Sequence, residues 1–166
     1  ISEQEHSLFV DAKKDVLYHA SCHPEWSGIK AVKGGVMAAR AIEKISGSNL
    51  TLSPGCCGES GTGAYSSPGI YNALRERKKN RLINLLPNYM EDVPIIVGCP
   101  SCKIGISRTL IKIKEDGYTE LAKHPVLHSA EWLSELLFGE QWLQNFKKEA
   151  AKIDSDTGFR IIEKQK

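Results

Sequence analysis

The amino-acid sequence predicts a three-layer α/β fold, in which helices flank both faces of a mostly parallel four-stranded sheet. The main observation is that four short apolar, β-like runs alternate with stretches of helical periodicity. In addition, the chain of 166 residues is 41% hydrophobic, which is enough apolar content for a single core. We expect one domain over residues 1–153, followed by a tail over residues 154–166.

The four apolar runs are the predicted strands, at residues 16–20, 50–52, 93–97 and 126–128. Pro or Gly punctuates the chain soon after each of the first three runs. The third run is aliphatic almost throughout, as a strand buried on both faces requires, and Pro94 is acceptable only because it lies near the start.

Helical spacing fills the intervals between these runs. One helix is predicted around residues 38–45 and ends near Gly47, and a second covers residues 68–86 with Ile70 among the apolar positions of one face. On that second helix the basic segment at residues 75–81 is predicted to be a solvated face. Two further helices are predicted after Cys102 and over residues 130–138.

The five cysteines follow the ends of the predicted strands. In open α/β sheets the loops at the carboxyl ends of the strands form the binding crevice, so the topology brings these thiols to one edge. The cysteines on these loops are Cys22, Cys56, Cys57 and Cys99, with Cys102 one helical turn further on. This edge is therefore predicted to hold a metal or redox site.

The cysteine spacing favours a polynuclear metal cluster. Thiolates are soft ligands that select zinc, copper(I) and iron–sulfur clusters, and five of them exceed the four ligands of a closed zinc site. Adjacent side chains at Cys56 and Cys57 diverge unless the backbone bends sharply, which the flanking Gly55 and Gly58 permit. Together with Gly61, these glycines are predicted to line the cofactor site and to offer backbone N–H donors.

Composition disfavours several other classes of function. The formal net charge of +2 gives no electrostatic argument for nucleic acid or an anionic membrane, and the sequence contains no signal peptide or apolar run of transmembrane length. We expect a cytoplasmic, reducing compartment, with peripheral membrane association only through partners. A polar start without an initiator Met suggests a piece of a longer chain.

The ordered cysteine pattern resembles the cysteine-rich CCG domain. Cys22 is separated by 33 residues from the Cys-Cys-Gly motif, which a further 41 residues separate from Cys99-Pro100-Ser101-Cys102. Similar domains occur in the cysteine-rich component of heterodisulfide reductase, the iron–sulfur component of glycolate oxidase, lactate-utilisation proteins and FAD-linked D-lactate-type dehydrogenases. The resemblance extends from residue 18 through residues 126–128 and the helix that follows.

The resemblance implies a function and a ligand set. It implies that Cys22, Cys56, Cys57, Cys99 and Cys102 hold a noncubane [4Fe-4S] cluster. The segment would then be the electron-transfer domain or subunit of an FAD-linked iron–sulfur oxidoreductase that oxidises a 2-hydroxy acid such as lactate or glycolate. FAD and the substrate site would belong to a partner flavoprotein, and no catalytic residue is assigned here. Relatives often carry Asp-Pro where this chain has Ala20-Ser21, and they commonly carry a second cysteine-rich domain.

Two alternatives remain open from the residues themselves. The cysteines would bind zinc in a structural or regulatory module, with zinc also a substitute metal and His23 a candidate ligand, or Cys99 and Cys102 would act as a thiol–disulfide redox pair. His19 and His128 are predicted to be structural residues at the ends of strands. Trp132, Trp142 and Phe146 are predicted to pack against the core.

Overall fold

The computed structural model describes residues 14–21, 31–59, 62–89 and 93–151. Its sheet consists of β1 (Asp15–His19), β2 (Asn49–Leu52), β3 (Ile95–Val97) and β4 (Val126–His128). Every strand pairing is parallel, and the strand order is β2-β1-β3-β4. The predicted three-layer α/β fold with a parallel sheet is therefore confirmed.

Helices connect the strands and cover the sheet. They are α1 (Ala31–Ser46), α2 (Thr62–Ser66), α3 (Pro68–Leu85), α4 (Pro100–Glu115), α5 (Ser129–Phe138) and α6 (Trp142–Ala150). α1 ends where the sequence predicted, because Gly47 adopts a φ of 67° that favours glycine and its N–H closes the last turn on the Glu43 carbonyl. Two 3₁₀ turns, Leu86–Asn88 and Glu120–Ala122, lead from α3 and α4 towards the next strands.

The two faces of the sheet bury different sets of residues. Successive side chains of a strand point to opposite faces, so Leu17 lies on one face while Val16 and Tyr18 lie on the other. Helices α3 and α4 pack against the first face. The core between them and the sheet, called the α3–α4 layer here, contains Leu17, Leu82, Leu86, Ile95, Val97, Ile106, Leu110 and Ile113. Helices α1 and α5 pack against the second face. The core between them and the sheet, called the α1–α5 layer here, contains Val16, Tyr18, Ala39, Ile42, Ile96 and Trp132.

The strand order reverses direction between β1 and β3. From β1 the chain first moves to one side to form β2, and it later returns past β1 to form β3 and then β4. In doubly wound sheets such a reversal opens a crevice at the carboxyl ends of the strands, where ligands bind. Here the reversal lies between β1, which ends at His19, and β3, which ends at Val97, and these two residues are register partners.

Some local predictions were wrong. β3 begins at Ile95 and not at Val93, since Pro94 has no N–H to donate to the sheet, although its carbonyl still accepts from Leu17. Ile70 is exposed near the start of α3, and Phe146 is exposed on α6, a helix that was not predicted. Trp132 is buried as expected.

Two predicted features concern the extent of the chain. The tail at residues 154–166 lies outside the described residues, as does most of the N-terminal segment. Among the helices that the structure describes, none combines the length and the apolar character needed to cross a membrane.

Candidate metal centre

Four of the five predicted cysteine ligands lie in the described part of the chain. Cys57 and Cys102 are buried within the α3–α4 layer, and Cys56 and Cys99 are half-buried. All four are free thiols. Cys22, with the neighbouring His23, lies outside the described residues, and so does Gly61.

The start of α4 places Cys99 and Cys102 on one helical turn. Cys99 is the N-cap, with an extended backbone (φ −142°, ψ 133°) that suits a residue before proline, and Pro100 opens the helix without leaving an N–H unsatisfied. The Lys103 N–H closes the first turn on the Cys99 carbonyl at 3.1 Å. The spacing of two residues between these cysteines therefore directs both thiols towards the carboxyl edge of the sheet.

The Cys-Cys-Gly loop bends sharply at its glycines, as the sequence predicted. Gly55 and Gly58 have φ values of 93° and 75°, a region that other residues rarely adopt. A Cβ at Gly58 would also lie 2.3 Å from the Cγ of Arg75, so α3 packs directly against this peptide. The bend separates the adjacent thiols: Cys57 enters the core, while the Sγ of Cys56 accepts the Gly58 N–H at 3.3 Å.

His19 belongs to this site, although the sequence predicts a structural residue at the end of a strand. It is the last residue of β1 and shares the sheet face of Leu17, towards α3 and α4. One ring nitrogen of His19 and the Sγ atoms of Cys57 and Cys102 all lie within 4.8 Å of one another, and all three residues are buried. The role depends on the proximity of Cys57 and Cys102, which are distant in sequence, so residue spacing near His19 carried no signal for it.

The hydrogen bond between the two buried thiols shifts their pKa values in opposite directions. A hydrogen bond from Cys102 lowers the pKa of Cys57. The same interaction with Cys57, together with burial, raises the pKa of Cys102. Burial lowers the pKa of His19, so its imidazole is neutral at pH 7. The pair therefore already offers one thiolate as a soft ligand.

Basic residues of α3 hold the Cys-Cys-Gly loop by its carbonyl groups. Lys78 is buried, and its Nζ donates to the Ser53 carbonyl at 3.1 Å, to the Ser53 Oγ at 2.8 Å and to the Pro54 carbonyl at 3.3 Å. Arg81 also donates to the Pro54 carbonyl, and the Nε of Arg75 donates to the Gly58 carbonyl at 2.9 Å.

The solvated face predicted for residues 75–81 is therefore wrong for Lys78, which is buried, whereas Arg75 is half-buried and Arg81 is exposed while both donate to the loop. Arg75, Lys78 and Arg81 recur every three residues, so they form one row along α3, and that row faces the loop. Their spacing was visible in the sequence, but the loop that they contact was not. Burial, with the neighbouring Arg81 charge, lowers the pKa of Lys78 to about 8.

The loop also packs closely against α4. A Cβ at Gly105 would lie 2.9 Å from the Cβ of Glu59 and 3.1 Å from both the Cβ and the carbonyl oxygen of Cys57. Above this contact, Arg108 forms an ion pair with Glu59 at 2.7 Å. Glycine at position 105 thus allows the loop to reach the depth at which Cys57 meets Cys102.

His128 has the structural role that the sequence predicted. It is the N-cap of α5, where its Nδ1 accepts the Ala130 N–H at 3.2 Å and its own N–H donates to Glu131 at 2.8 Å. This reciprocal pair satisfies two N–H groups at the start of the helix. His128 therefore contributes to helix capping, while His19 contributes to the cysteine cluster.

The donor set suits a soft metal or an iron–sulfur cluster. The structure brings together the imidazole of His19 and the buried thiols of Cys57 and Cys102, whereas Cys56 and Cys99 lie on the same segments but outside this group of three. The backbone N–H to sulfur contact at Cys56 is of the kind that stabilises thiolate-bound clusters. Comparisons with protein-family models, with curated proteins and with solved structures found no match for this chain.

Proposed function

We propose that this chain is an iron–sulfur electron-transfer domain of an oxidoreductase. The observation that carries the proposal is the meeting of the Cys-Cys-Gly loop and the start of α4 at the strand-order reversal, with the Sγ atoms of Cys57 and Cys102 within 4.8 Å of each other. Ligands in open parallel sheets bind at this place, and thiols are ligands for iron–sulfur clusters. The cysteine order, which resembles the CCG domain, supports the same function.

In this proposal the cysteines hold the cluster and the rest of the chain sets its surroundings. The ligands are Cys22, Cys56, Cys57, Cys99 and Cys102, and a bound [4Fe-4S] cluster, of the noncubane type, supplies one-electron transfer. The close packing of Gly105 against the loop excludes water beneath Cys57. Gly55 and Gly58 permit the bend of the loop that carries Cys56 and Cys57.

Charge compensation is the second contribution of the chain. A cluster with several thiolate ligands is anionic, and a nearby buried cation stabilises its more reduced, more negative form. Lys78 is buried behind the loop and interacts electrostatically with Cys56, Cys57 and Cys102. The N-terminus of α4, with its free N–H groups, contributes a further positive potential at Cys99 and Cys102.

The proposed electron donor is a flavin held by a partner domain or subunit. The resemblance favours an FAD-dependent dehydrogenase of a 2-hydroxy acid, such as lactate or glycolate, with this domain passing electrons to an acceptor. A second cysteine-rich domain is a further proposed partner. Substrate oxidation would then take place in the flavoprotein, while the chain described here carries the electrons.

The first test is metal analysis of protein purified without oxygen. We expect about four irons and matching acid-labile sulfide per chain, with an electron paramagnetic resonance signal after one-electron reduction or oxidation. Zinc alone, with no iron after anaerobic reconstitution, would contradict the proposal and favour a metal-stabilised binding module. Absence of both metals, with thiol exchange at Cys99 and Cys102, would favour the dithiol alternative.

A substitution at Cys57 tests the ligand set. Cys57→Ser should abolish cluster assembly while the far-ultraviolet circular dichroism stays that of an α/β protein, because the oxygen is a poor ligand for iron–sulfur clusters. The matched control is Ser101→Ala, an exposed position between the two cysteines of α4, which should keep the full iron content. An unchanged iron count in Cys57→Ser would refute the ligand assignment.

A further inference from the structure

We propose that His19, Cys57 and Cys102 form a binding site for a single divalent metal ion of the zinc type, with the Nε2 atom of His19 as a ligand. This site goes beyond the proposed function because it needs neither the cluster nor all five cysteines. It shares two thiols with the proposed cluster, so the chain holds either one such ion or the cluster.

The distances suit one ion. The three ligand atoms lie within 4.8 Å of one another, and tetrahedral zinc with its usual bond lengths places such atoms roughly 3.5–3.8 Å apart. A movement of the side chains by about 1 Å each would therefore close the site. None of His19, Cys57 and Cys102 exposes more than 3% of its surface, so the ion would be largely shielded from water.

The hydrogen bonding of His19 leaves the correct nitrogen free to bind a metal. Its Nδ1 lies 3.2 Å from the Ser53 carbonyl oxygen, which can only accept, so Nδ1 carries the proton of the neutral ring. The lone pair then lies on Nε2. Among the described residues, this atom is buried without a hydrogen-bond partner. A metal-bound histidine typically donates its other N–H to a carbonyl or carboxylate in this way.

The carbonyl that orients the ring is itself fixed. The Nζ of Lys78 donates to the same Ser53 oxygen at 3.1 Å, so the hydrogen bond to His19 has a defined direction. A buried ring nitrogen without a partner is destabilising in an apolar setting, and a structural histidine would ordinarily avoid it. A bound metal ion would satisfy this atom together with the two thiols.

His124 is the natural comparison within the chain. It is also buried, and its Nδ1 lies 2.9 Å from the Val93 carbonyl, so its backbone hydrogen bond matches that of His19. No cysteine joins His124 in a metal-binding group within the described ranges, and its second nitrogen is not left buried without a partner. The difference between the two histidines is therefore the group that faces Nε2.

Co²⁺ titration of the metal-free, thiol-reduced chain tests the site, because Co²⁺ substitutes for zinc and reports tetrahedral sulfur and nitrogen ligands by its visible absorption. We expect one Co²⁺ per chain in the tight step. His19→Asn keeps an amide N–H for the Ser53 carbonyl but removes the Nε2 ligand, and it should weaken Co²⁺ binding by about tenfold or more. The matched control, His124→Asn, should bind like the wild type.

Three results would overturn the inference: no Co²⁺ bound by the wild type, an unchanged affinity and spectrum in His19→Asn, or an equal loss in His124→Asn. Should His19→Asn fail to fold, nitrogen NMR of the wild type decides. On addition of Zn²⁺ the Nε2 resonance of His19 should shift while that of His124 stays in place, and a stationary His19 resonance overturns the proposal.

Cys56→Ser separates this inference from the proposed function. Cys56 is a proposed cluster ligand but not a member of the single-ion site, so this variant should lose iron loading and keep Co²⁺ binding. Loss of the tight Co²⁺ step in Cys56→Ser would overturn the three-residue site. Iron and Co²⁺ loading are measured separately on each preparation, so failure of the cluster and failure of the single-ion site give different results.

Discussion

The two layers that flank the sheet are built from different chemistry. The α1–α5 layer buries hydrocarbon and aromatic groups, such as Val16, Ile42 and Trp132. The α3–α4 layer combines its aliphatic residues with two thiols, and the imidazole of His19 and the amine of Lys78 lie buried beside them. One side of the sheet thus provides ordinary hydrophobic stability, while the other carries groups that do not improve packing.

The difference between the two layers shows that the energetic cost of burying polar groups falls mainly on the α3–α4 layer. Buried polar groups destabilise a protein unless they are hydrogen-bonded, and His19 and Ser53 are buried at the carboxyl ends of their strands, where Lys78 donates to Ser53. The apolar positions of the same layer, from Ile106 to Ile113 along α4, lie further from this edge. Substitutions in the two layers should therefore have separable effects on stability and on metal binding.

The largest expected effect on stability is in the α1–α5 layer. Trp132→Ala removes a buried ring and should lower the free energy of unfolding by about 3–5 kcal/mol, measured by denaturant titration. The metal content of the folded fraction should not change, because Trp132 contacts the face of the sheet opposite to the thiols. A loss of bound metal by a variant that remains folded would show that the layers are not independent.

Substitution of Gly105 should lower stability by a smaller amount and should also lower metal binding. The added Cβ of Gly105→Ala meets the backbone of Cys57 as well as its Cβ, so overpacking of about 1–3 kcal/mol should exceed the gain in helix propensity. The control is Gly69→Ala in α3, where a Cβ has open space. Equal stability and equal metal loading in the two variants would show that the loop adapts to the extra methyl group.

The smallest expected change in stability is at Lys78. A pKa lowered from 10.5 to about 8 indicates a penalty of roughly 3 kcal/mol for burying the ammonium charge, and Met avoids that penalty. The lost hydrogen bonds to Ser53 and Pro54 oppose this gain with a similar magnitude. Lys78→Met should therefore change the stability of the metal-free chain by no more than about 1 kcal/mol, as for the exposed control Arg77→Met.

The same variant should also change how the stability of the chain depends on pH and, with a cluster bound, the reduction potential of that cluster. Below pH 8 both folded and unfolded chains keep the Lys78 proton, so the penalty is fully present, and it disappears as the pH rises to 10.5. The wild type should gain stability relative to Lys78→Met across this range. With a cluster bound, loss of the cation should lower the reduction potential, and Lys78→Arg should restore it. An unchanged potential in Lys78→Met would remove Lys78 from the role proposed here.

The sequence was sufficient to predict the sheet and its main helices. Apolar runs that stop at Pro or Gly located the strands to within one or two residues, and β1 differs from its prediction by one position at each end. The start of α3 was predicted at Pro68, whereas α4 begins at Pro100, ahead of the apolar repeat after Cys102 from which it was predicted. α6 was missed although Trp142 and Phe146 stand at helical spacing, because it directly follows α5 and so falls outside the strand–helix alternation by which the other helices were predicted.

The site was only partly predictable. The loop positions of Cys56, Cys57 and Cys99 follow from strand ends, which are local features of the sequence. The roles of His19 and Lys78 depend on contacts with Ser53, which is 34 residues from His19 and 25 from Lys78. A basic residue on a helix is ordinarily solvated, and only the packing of α3 against the loop makes Lys78 an exception.

The loop from Pro54 to Gly58 is held by hydrogen bonds from Arg75, Lys78 and Arg81 to its main-chain carbonyls. These bonds limit which sequence changes the loop can accept during evolution. Anchors of this kind tolerate changes of side chain, apart from the glycines, but they do not tolerate changes of length. The donors on α3 are spaced by three residues each, about 4.5 Å along the axis, so one inserted residue would move Gly58 out of reach of Arg75. Natural variation in this segment should therefore consist of substitutions, with insertions and deletions displaced to the chain beyond Glu59.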